Sequence, residues 1–189
     1  MARTAAQFCL HERLKPCGFT LVELLLVLLL IAITAVWALP SLGTTLQNSR
    51  LRAGVHHLVG GLHYARAEAL SRGEWVSVCP SRTALSCDSG NQWHPSFMAY
   101  LDRNQNRRFD DGDLKLRFFH VPKLVALWGS EGRDHVTFNA QGETVFGNTT
   151  FRLCDPRGSV AAQAVILSAP GKIRVSDRLA NNLPIPCTP

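Results

Sequence analysis

The most pronounced hydrophobic pattern in the chain is a continuous apolar run over residues 19–39. Only Thr20, Glu23 and Thr34 interrupt it with polar side chains. A helix rises about 1.5 Å per residue, so about 21 residues span roughly 31 Å, which matches the hydrocarbon core of a bilayer. The pattern therefore predicts a transmembrane helix over residues 19–40.

A second helical pattern follows over residues 41–72, where apolar side chains recur every three or four positions. This stripe consists of Leu51, Val55, Leu58, Leu62, Ala65 and Ala69. Arg72 and Gly73 suit a helix end, because a cation favours the last turn and glycine adopts the left-handed cap. We expect residues 41–73 to form an amphipathic continuation of the first helix.

Short segments of strand-like composition replace the helical pattern after Gly73. The predicted strands cover residues 75–79, 97–101, 114–118, 136–138, 149–154, 164–167 and 172–175. Residues 168–171 predict a tight hairpin connection between the last two strands. The proline-rich tail from Asn181 is predicted to lie across the domain without regular structure. A long helix followed by an antiparallel sheet is an α+β fold, with residues 74–189 as its β-rich domain.

The N-terminus places its small residue before the apolar run, whereas a secretory signal peptide places its cleavage site after it. Gly18 follows a short leader that carries Arg3, Arg13 and Lys15, and Glu23 lies five residues beyond Gly18. This order resembles the prepilin N-terminus of type IV pilins and pseudopilins. Cleavage after Gly18 removes a leader of residues 1–18 and keeps the membrane helix.

The resemblance implies that a prepilin peptidase cuts between Gly18 and Phe19 and that the new amine of Phe19 is N-methylated. It also implies that Glu23 pairs with the terminal amine of a neighbouring pilin subunit in a filament. A carboxylate inside a bilayer costs about 2.5–3.5 kcal/mol on insertion scales, so a cationic partner is favourable. The alternative for Glu23 is a carboxylate that reaches the membrane interface without a partner.

The charge distribution predicts the orientation of the chain in the membrane and is compatible with an anionic partner. Basic residues beside a membrane span stay in the cytoplasm, so we expect a single-pass protein of the inner membrane with a periplasmic C-terminal domain. The formal charge of +6 falls to +4 once the leader, with Arg3, Arg13, Lys15 and Glu12, is removed. Such an excess fits either an anionic partner or an ordinary solvated surface.

Four cysteines remain after Cys9 and Cys17 leave with the leader, and an oxidising periplasm favours disulfides. Four cysteines allow three connectivities. We favour one short loop and one bridge that fixes the C-terminal tail; the pairs are Cys79–Cys87 and Cys154–Cys187. A zinc site is the alternative, but it is disfavoured because no close C-x-x-C pair is present.

Two further patterns raise the question of metal binding. Oxygen-bearing side chains over residues 102–113 follow the spacing of a calcium loop, but Arg107 stands where the sharp turn needs glycine. A polar hairpin loop is the favoured interpretation. His56, His57 and His63 lie on the second helical segment without a carboxylate partner, which favours solvated histidines. We therefore predict neither a metal nor a cofactor, and no motif for an enzyme is present.

A basic element follows the last hairpin connection. On a strand, Lys172 and Arg174 project from one face while Ile173 points to the core. Two adjacent cations suit the phosphates of a nucleic-acid backbone, which gives salt-sensitive binding without sequence preference. An ordinary solvated strand face is the alternative.

Several motifs together resemble the FimT/GspH minor-pilin family over most of the mature chain. They are Asn48-Ser49-Arg50-Leu51, Ala65-Arg66-Ala67-Glu68-Ala69, Cys79-Pro80-Ser81, Asp102-Arg103-Asn104 and Leu153-Cys154. The resemblance implies a pilin-like fold and a minor type IV pilin of the FimT kind, linked to natural transformation. The GspH side of the family offers the alternative of a minor pseudopilin of type II secretion, with protein contacts only.

Within the family, FimT members bind DNA through a Gly-Arg-x-Arg element. Gly171-Lys172-Ile173-Arg174 matches it except that lysine replaces the first arginine. Lysine keeps the charge but lacks the guanidinium fork that binds a phosphate bidentately. The candidate DNA-binding residues are Lys172, Arg174 and Arg178, extended by Arg103, Arg107 and Arg108 if their loop folds toward the same side.

Overall fold

The computed structural model describes residues 20–187, except for the side chains of residues 36–41. The predicted leader and the cleavage site between Gly18 and Phe19 lie outside this range. The chain forms two compact units, Met1–Thr44 and Thr45–Pro189. A single helix, α1, covers Leu21–Arg72, so the two predicted helical segments form one element.

The described part of the first unit is the beginning of α1. Glu23 lies in the first turn, and its backbone N–H donates to the hydroxyl of Thr20 at 3.3 Å. Among the residues whose side chains are described, no helix is long and apolar enough to cross a membrane.

The second unit contains two four-stranded antiparallel sheets. The strands are β1 (Val76–Pro80), β2 (Ser96–Leu101), β3 (Leu114–His120), β4 (Ala126–Trp128), β5 (Val136–Phe138), β6 (Thr149–Cys154), β7 (Gln163–Leu167) and β8 (Ile173–Ser176). The first sheet has the order β3-β2-β1-β5, and the second has the order β4-β6-β7-β8. Together with α1 they confirm the predicted α+β class.

The core of this unit forms where the apolar stripe of α1 meets the strands. Leu58, Leu62 and Ala65 have no exposed surface, and they share one buried cluster with side chains such as Phe97 and Phe151. Gly61 allows the close approach, because a Cβ there would lie 2.6 Å from the ring of Phe97. The stripe predicted from the sequence is therefore the face that α1 buries.

The strands depart from the predicted pattern in two places. β4 was not predicted, because Ala126-Leu127-Trp128 contains no β-branched residue, whereas the equally short β5 contains Val136 and Thr137. β8 begins at Ile173, one residue later than predicted, which places Lys172 in the preceding turn. The other predicted strands agree with the observed ones to within two residues at either end.

Two disulfides join Cys79 to Cys87 and Cys154 to Cys187, which is the pairing favoured by the sequence. The second bridge fixes the C-terminal tail against the second sheet. Ile185 is 1% exposed and packs in a cluster with Cys154, Ala164 and Ile166. The tail therefore lies across the domain, as its proline content predicts.

Candidate nucleic-acid interface

The connection between β7 and β8 is a tight turn over residues 168–172. The N–H of Gly171 donates to the carbonyl of Ser168 at 2.8 Å, and the N–H of Ser168 donates to the carbonyl of Lys172 at 3.0 Å. Gly171 has a φ of +77°, in the left-handed region that glycine tolerates. We call residues 168–174 the basic turn.

Arg66 of α1 supports the basic turn through hydrogen bonds to two backbone carbonyls. Its Nε donates to the carbonyl of Gly142 at 2.8 Å, and one terminal nitrogen donates to the carbonyl of Pro170 at 3.3 Å. A Cβ on Gly171 would lie 2.3 Å from the Gly142 oxygen and 2.7 Å from Arg66 Nε. The helix, residue 142 and the basic turn therefore meet at a point where no side chain fits on Gly171.

The segment 142–148, between β5 and β6, supports the other side of the basic turn. The backbone N–H and the hydroxyl of Thr144 both donate to the carbonyl of Ala169, at 2.8 and 3.2 Å. The N–H of Ala169 donates to the side-chain oxygen of Asn148 at 2.9 Å. Two separate parts of the chain, α1 and the segment 142–148, thus fix the backbone that precedes Lys172.

Lys172 and Arg174 are both exposed, whereas Ile173 between them is half-buried and packs against the core. Arg174 lies opposite Ile166 in the β7–β8 register, at the edge of the second sheet. Among the described residues, neither cation forms an ion pair. Lys172 therefore lies in the turn and Arg174 on the strand, rather than both on one strand face as predicted, and both cations remain exposed.

Arg107 is connected to the same region through Phe146. Its guanidinium lies 4.1 Å from the centroid of the Phe146 ring, which is the geometry of a cation–π contact. Phe146 is 42% exposed and belongs to the segment 142–148 that supports the basic turn. Arg103 and Arg108 are exposed, and no described side-chain contact connects them to this segment. Of the three loop arginines, the structure brings only Arg107 to this segment.

Several carboxylates of the loop over residues 102–113 accept hydrogen bonds from donors of the same loop. Asp102 is buried and accepts the backbone N–H groups of Asn106 and Arg107, at 3.1 and 2.9 Å. The carboxylate of Asp110 accepts the side-chain amides of Asn106 and Asn104, and these hydrogen bonds lower its pKa. The loop therefore has the internal hydrogen bonds that a polar hairpin loop is expected to form.

Burial raises the pKa of Asp113 in the same loop. Four aspartates, at positions 102, 110, 111 and 113, accompany the three loop arginines. The loop is therefore a weaker anion-binding surface than the basic turn.

The remaining candidate residues lie elsewhere. Arg178 follows β8, and its guanidinium donates to the carbonyl of Asn182 in the tail at 3.2 Å. His56, His57 and His63 are exposed on α1. Glu23 is exposed in the first turn of α1. The predicted DNA-binding residues thus divide into three groups: the basic turn, Arg107 with its contact to Phe146, and Arg103, Arg108 and Arg178, for which no described contact with the basic turn is seen.

Several residues of this site were not predicted from the sequence. Arg66 was named only within the motif Ala65-Arg66-Ala67-Glu68-Ala69, without a role in the site, and Thr144, Phe146 and Asn148 were not singled out. An arginine beside the buried Ala65 was the available signal, because such a side chain reaches over the edge of the core.

Comparisons with known proteins agree with this fold. The model of the type II transport protein GspH matches residues 55–171, and that of the prokaryotic N-terminal methylation motif matches residues 13–39. No curated protein matches the chain.

Two crystal structures of the type IV minor pilin FimU from Pseudomonas aeruginosa, in different space groups, are similar at 20% identity. The first has a TM-score of 0.56 and covers 74% of this chain and 96% of that one. The second has a TM-score of 0.54 and covers 72% and 99%. At this identity the likeness establishes the fold.

Proposed function

Because the chain belongs to the GspH family of minor pilins and pseudopilins, we propose that it is a minor type IV pilin that binds DNA in natural transformation. In this proposal a prepilin peptidase cuts between Gly18 and Phe19 and the Phe19 amine is methylated. Residues 19–40 then anchor the protein in the inner membrane, with the remaining domain in the periplasm. The motif match over residues 13–39 supports this processing.

Glu23 has the assembly role in this proposal. Its carboxylate pairs with the methylated amine of a neighbouring pilin, which offsets the cost of placing an acid in an apolar environment. Its position in the first turn of α1 leaves it next to the end of the helix where a neighbour's terminus would lie. Other major and minor pilins are therefore the protein partners.

The DNA-binding role rests on the basic turn. Lys172 and Arg174 contact phosphates of the incoming DNA and read no sequence, because phosphate contacts carry no base information. The observation that carries this proposal is the geometry of the turn. Arg66, Thr144 and Asn148 fix its backbone, while both cations stay exposed and free of ion pairs with described residues.

Arg107 provides a secondary contact in this proposal, since its Phe146 partner lies on the segment that supports the basic turn. Arg103, Arg108 and Arg178 contribute less. The negative charges of the loop aspartates offset the positive charges of Arg103 and Arg108, and the guanidinium of Arg178 donates a hydrogen bond to the tail. About three phosphate contacts are then expected.

The test is the binding of fluorescently labelled duplexes of two unrelated sequences to residues 45–189, which form a compact unit with its own core. We expect equal affinities for both sequences. With about three phosphate contacts, a slope near −0.9 per contact lowers the affinity about 40-fold between 50 and 200 mM salt.

The variant Lys172→Ala/Arg174→Ala should lose most of the binding. A charge-matched control is Lys123→Ala/Arg82→Ala, in which Lys123 precedes β4 at the opposite edge of the second sheet. If both double variants weaken binding equally, the basic turn is not the DNA site.

A second candidate function is supported by the description of the matching family model, a type II transport protein. A minor pseudopilin of a type II secretion system would make protein contacts only. A folded domain that binds neither duplex at 50 mM salt would favour this function.

A further inference from the structure

His135 lies directly beside the first disulfide. It precedes β5, and the pairing of Val78 with Val136 places it across from Cys79 of β1. One of its ring nitrogens and the sulfurs of Cys79 and Cys87 all lie within 4.8 Å of one another. Nε2 is buried and has no hydrogen-bond partner among the described residues. A buried ring nitrogen without a hydrogen-bond partner is unfavourable, and this imidazole lies beside two sulfurs.

The other ring nitrogen of His135 lies near the carboxylate of the preceding residue, Asp134. Nδ1 lies 3.1 Å from a carboxylate oxygen of Asp134. In the tautomer that carries its proton on Nδ1, the nearby carboxylate attracts this N–H, and Nε2 keeps a lone pair for a metal ion. A carboxylate on the far nitrogen of a histidine is the usual outer partner of a metal ligand.

The surroundings of the two sulfurs are apolar. Cys79, Met98 and Tyr100 are fully buried in one cluster, and Phe109 and Phe118 pack against it. Thiolates and imidazole in such surroundings bind soft or borderline metal ions well, because little water competes. Within the described part of the chain, the Cys154–Cys187 pair has no comparable group of ligands.

We propose that the reduced forms of Cys79 and Cys87, together with His135, bind one Zn²⁺ ion in a site that the disulfide masks. Tetrahedral zinc with Zn–S bonds of about 2.3 Å needs sulfurs roughly 3.8 Å apart. The Cα atoms are 5.7 Å apart, so side-chain rotation provides this separation without movement of the backbone. A water molecule completes the four ligands.

The chemistry of the two states balances as follows. A dithiol reductant gives two electrons and two protons to the Cys79–Cys87 disulfide and is itself oxidised to a disulfide. Zn²⁺ then replaces the protons of the two thiols, which pass to solvent, while the neutral His135 binds through Nε2. The disulfide and the metal-bound state exclude each other, so bound zinc delays closure of the bridge.

The experiment is a titration with Co²⁺, a spectroscopic substitute for Zn²⁺. It uses the full chain in detergent, reduced with a phosphine. The chain carries Cys9→Ser and Cys17→Ser, which remove the two thiols of the leader. We expect one Co²⁺ per chain, with thiolate charge-transfer and tetrahedral absorption bands that Zn²⁺ abolishes. The oxidised chain should show neither.

Variants distinguish Co²⁺ binding at this site from Co²⁺ binding by any pair of free thiols. Cys79→Ser/Cys87→Ser should abolish the bands, whereas Cys154→Ser/Cys187→Ser should keep them. His135→Ala should weaken Co²⁺ binding more than 10-fold, and Asp134→Asn should weaken it about 10-fold, the effect of removing an outer partner. Equal binding by His135→Ala and the parent chain overturns the proposal.

Metal binding by the denatured chain is measured as a reference, so that unfolding of the domain on reduction is recognised. The reduced parent chain in concentrated urea keeps both thiols but loses the placement of His135 beside them. We expect weaker binding there, with no difference between the parent and His135→Ala. Equal affinity in the folded and denatured chains, or absence of the bands in the reduced parent chain, also overturns the proposal.

Discussion

Arg66 and Gly142 are 76 positions apart in the sequence, yet the guanidinium Nε of the first donates to the carbonyl of the second at 2.8 Å. The same side chain reaches the carbonyl of Pro170. One arginine of α1 therefore positions two loops of the second unit, and one of them carries Lys172. This contact connects the helix of the fold to the proposed DNA site.

Replacement of Arg66 by alanine should weaken DNA binding about 5-fold, because loss of roughly 1 kcal/mol of hydrogen bonding lets the basic turn leave its bound conformation. The slope of affinity against salt should stay unchanged, since Arg66 contacts the backbone of the protein and no phosphate. Fluorescence anisotropy at several salt concentrations measures both quantities. A slope reduced by about one unit would instead mark Arg66 as a phosphate contact.

Gly171→Ala should unfold at clearly lower urea concentration than the parent domain. The new Cβ meets the Gly142 oxygen at 2.3 Å, in a backbone conformation that is already unfavourable for alanine. We expect a loss of more than about 2 kcal/mol. Gly147→Ala is the matched control, with a φ of +78° and no atom near its Cβ position; it should cost only about 1 kcal/mol. Equal losses in the two variants would show that the contact with Gly142 has no energetic effect.

Lys172→Arg should strengthen DNA binding by about 3- to 10-fold. A guanidinium can bind a phosphate through two parallel hydrogen bonds, whereas an ammonium acts as a point charge. The number of phosphate contacts does not change, so the salt slope should stay the same while the affinity rises. Arg174→Lys is the reciprocal variant and should weaken binding. If neither exchange changes the affinity, the contact is purely electrostatic.

The second unit should lose stability in acid partly through Asp155. Burial alone raises the pKa of this carboxyl, but the hydrogen bonds from Arg157 outweigh it and leave the pKa lowered. A group with a lowered folded pKa stabilises the protein above its unfolded value of about 3.9 and loses that effect as the pH falls through the folded value. Urea midpoints should therefore differ between parent and Asp155→Asn at pH 7, and the difference should shrink near pH 3.

A difference that stays constant between pH 7 and pH 3 would contradict this assignment. Asp110 and Asp113, whose pKa values shift in opposite directions, are present in both the parent and the Asp155→Asn variant. Their contributions therefore cancel when the two proteins are compared. Arg157 further donates to the side-chain oxygen of Asn48 at 2.7 Å, so it connects α1 to the loop after β6.

Local patterns in the sequence were sufficient to predict most elements of the fold. The three- and four-residue spacing of Leu58, Leu62 and Ala65 predicted the buried face of α1, and strand-like composition predicted β6 and β7. The pairing of Cys154 with Cys187 followed from the need to fix the tail. Each of these predictions depends on a local pattern of residues or, for the disulfides, on the three possible pairings of four cysteines.

Contacts between distant residues left no such pattern. The contact of Arg66 with Gly142 and that of Arg107 with Phe146 depend on how the two sheets bring loops together, and no spacing in the sequence encodes it. The position of His135 beside Cys79 follows from the register of β1 and β5, which a three-residue strand does not reveal. Arg178 was grouped with the basic turn by proximity in sequence, whereas its guanidinium contacts the tail.

The proposed role as a filament subunit depends on processing at the N-terminus. The most direct test is mass spectrometry of the N-terminal peptide of the protein recovered from cell membranes. We predict that it begins at Phe19 and carries one methyl group on its amine. A chain that begins at Met1, or one cut after the apolar segment as a secreted protein would be, would contradict the account.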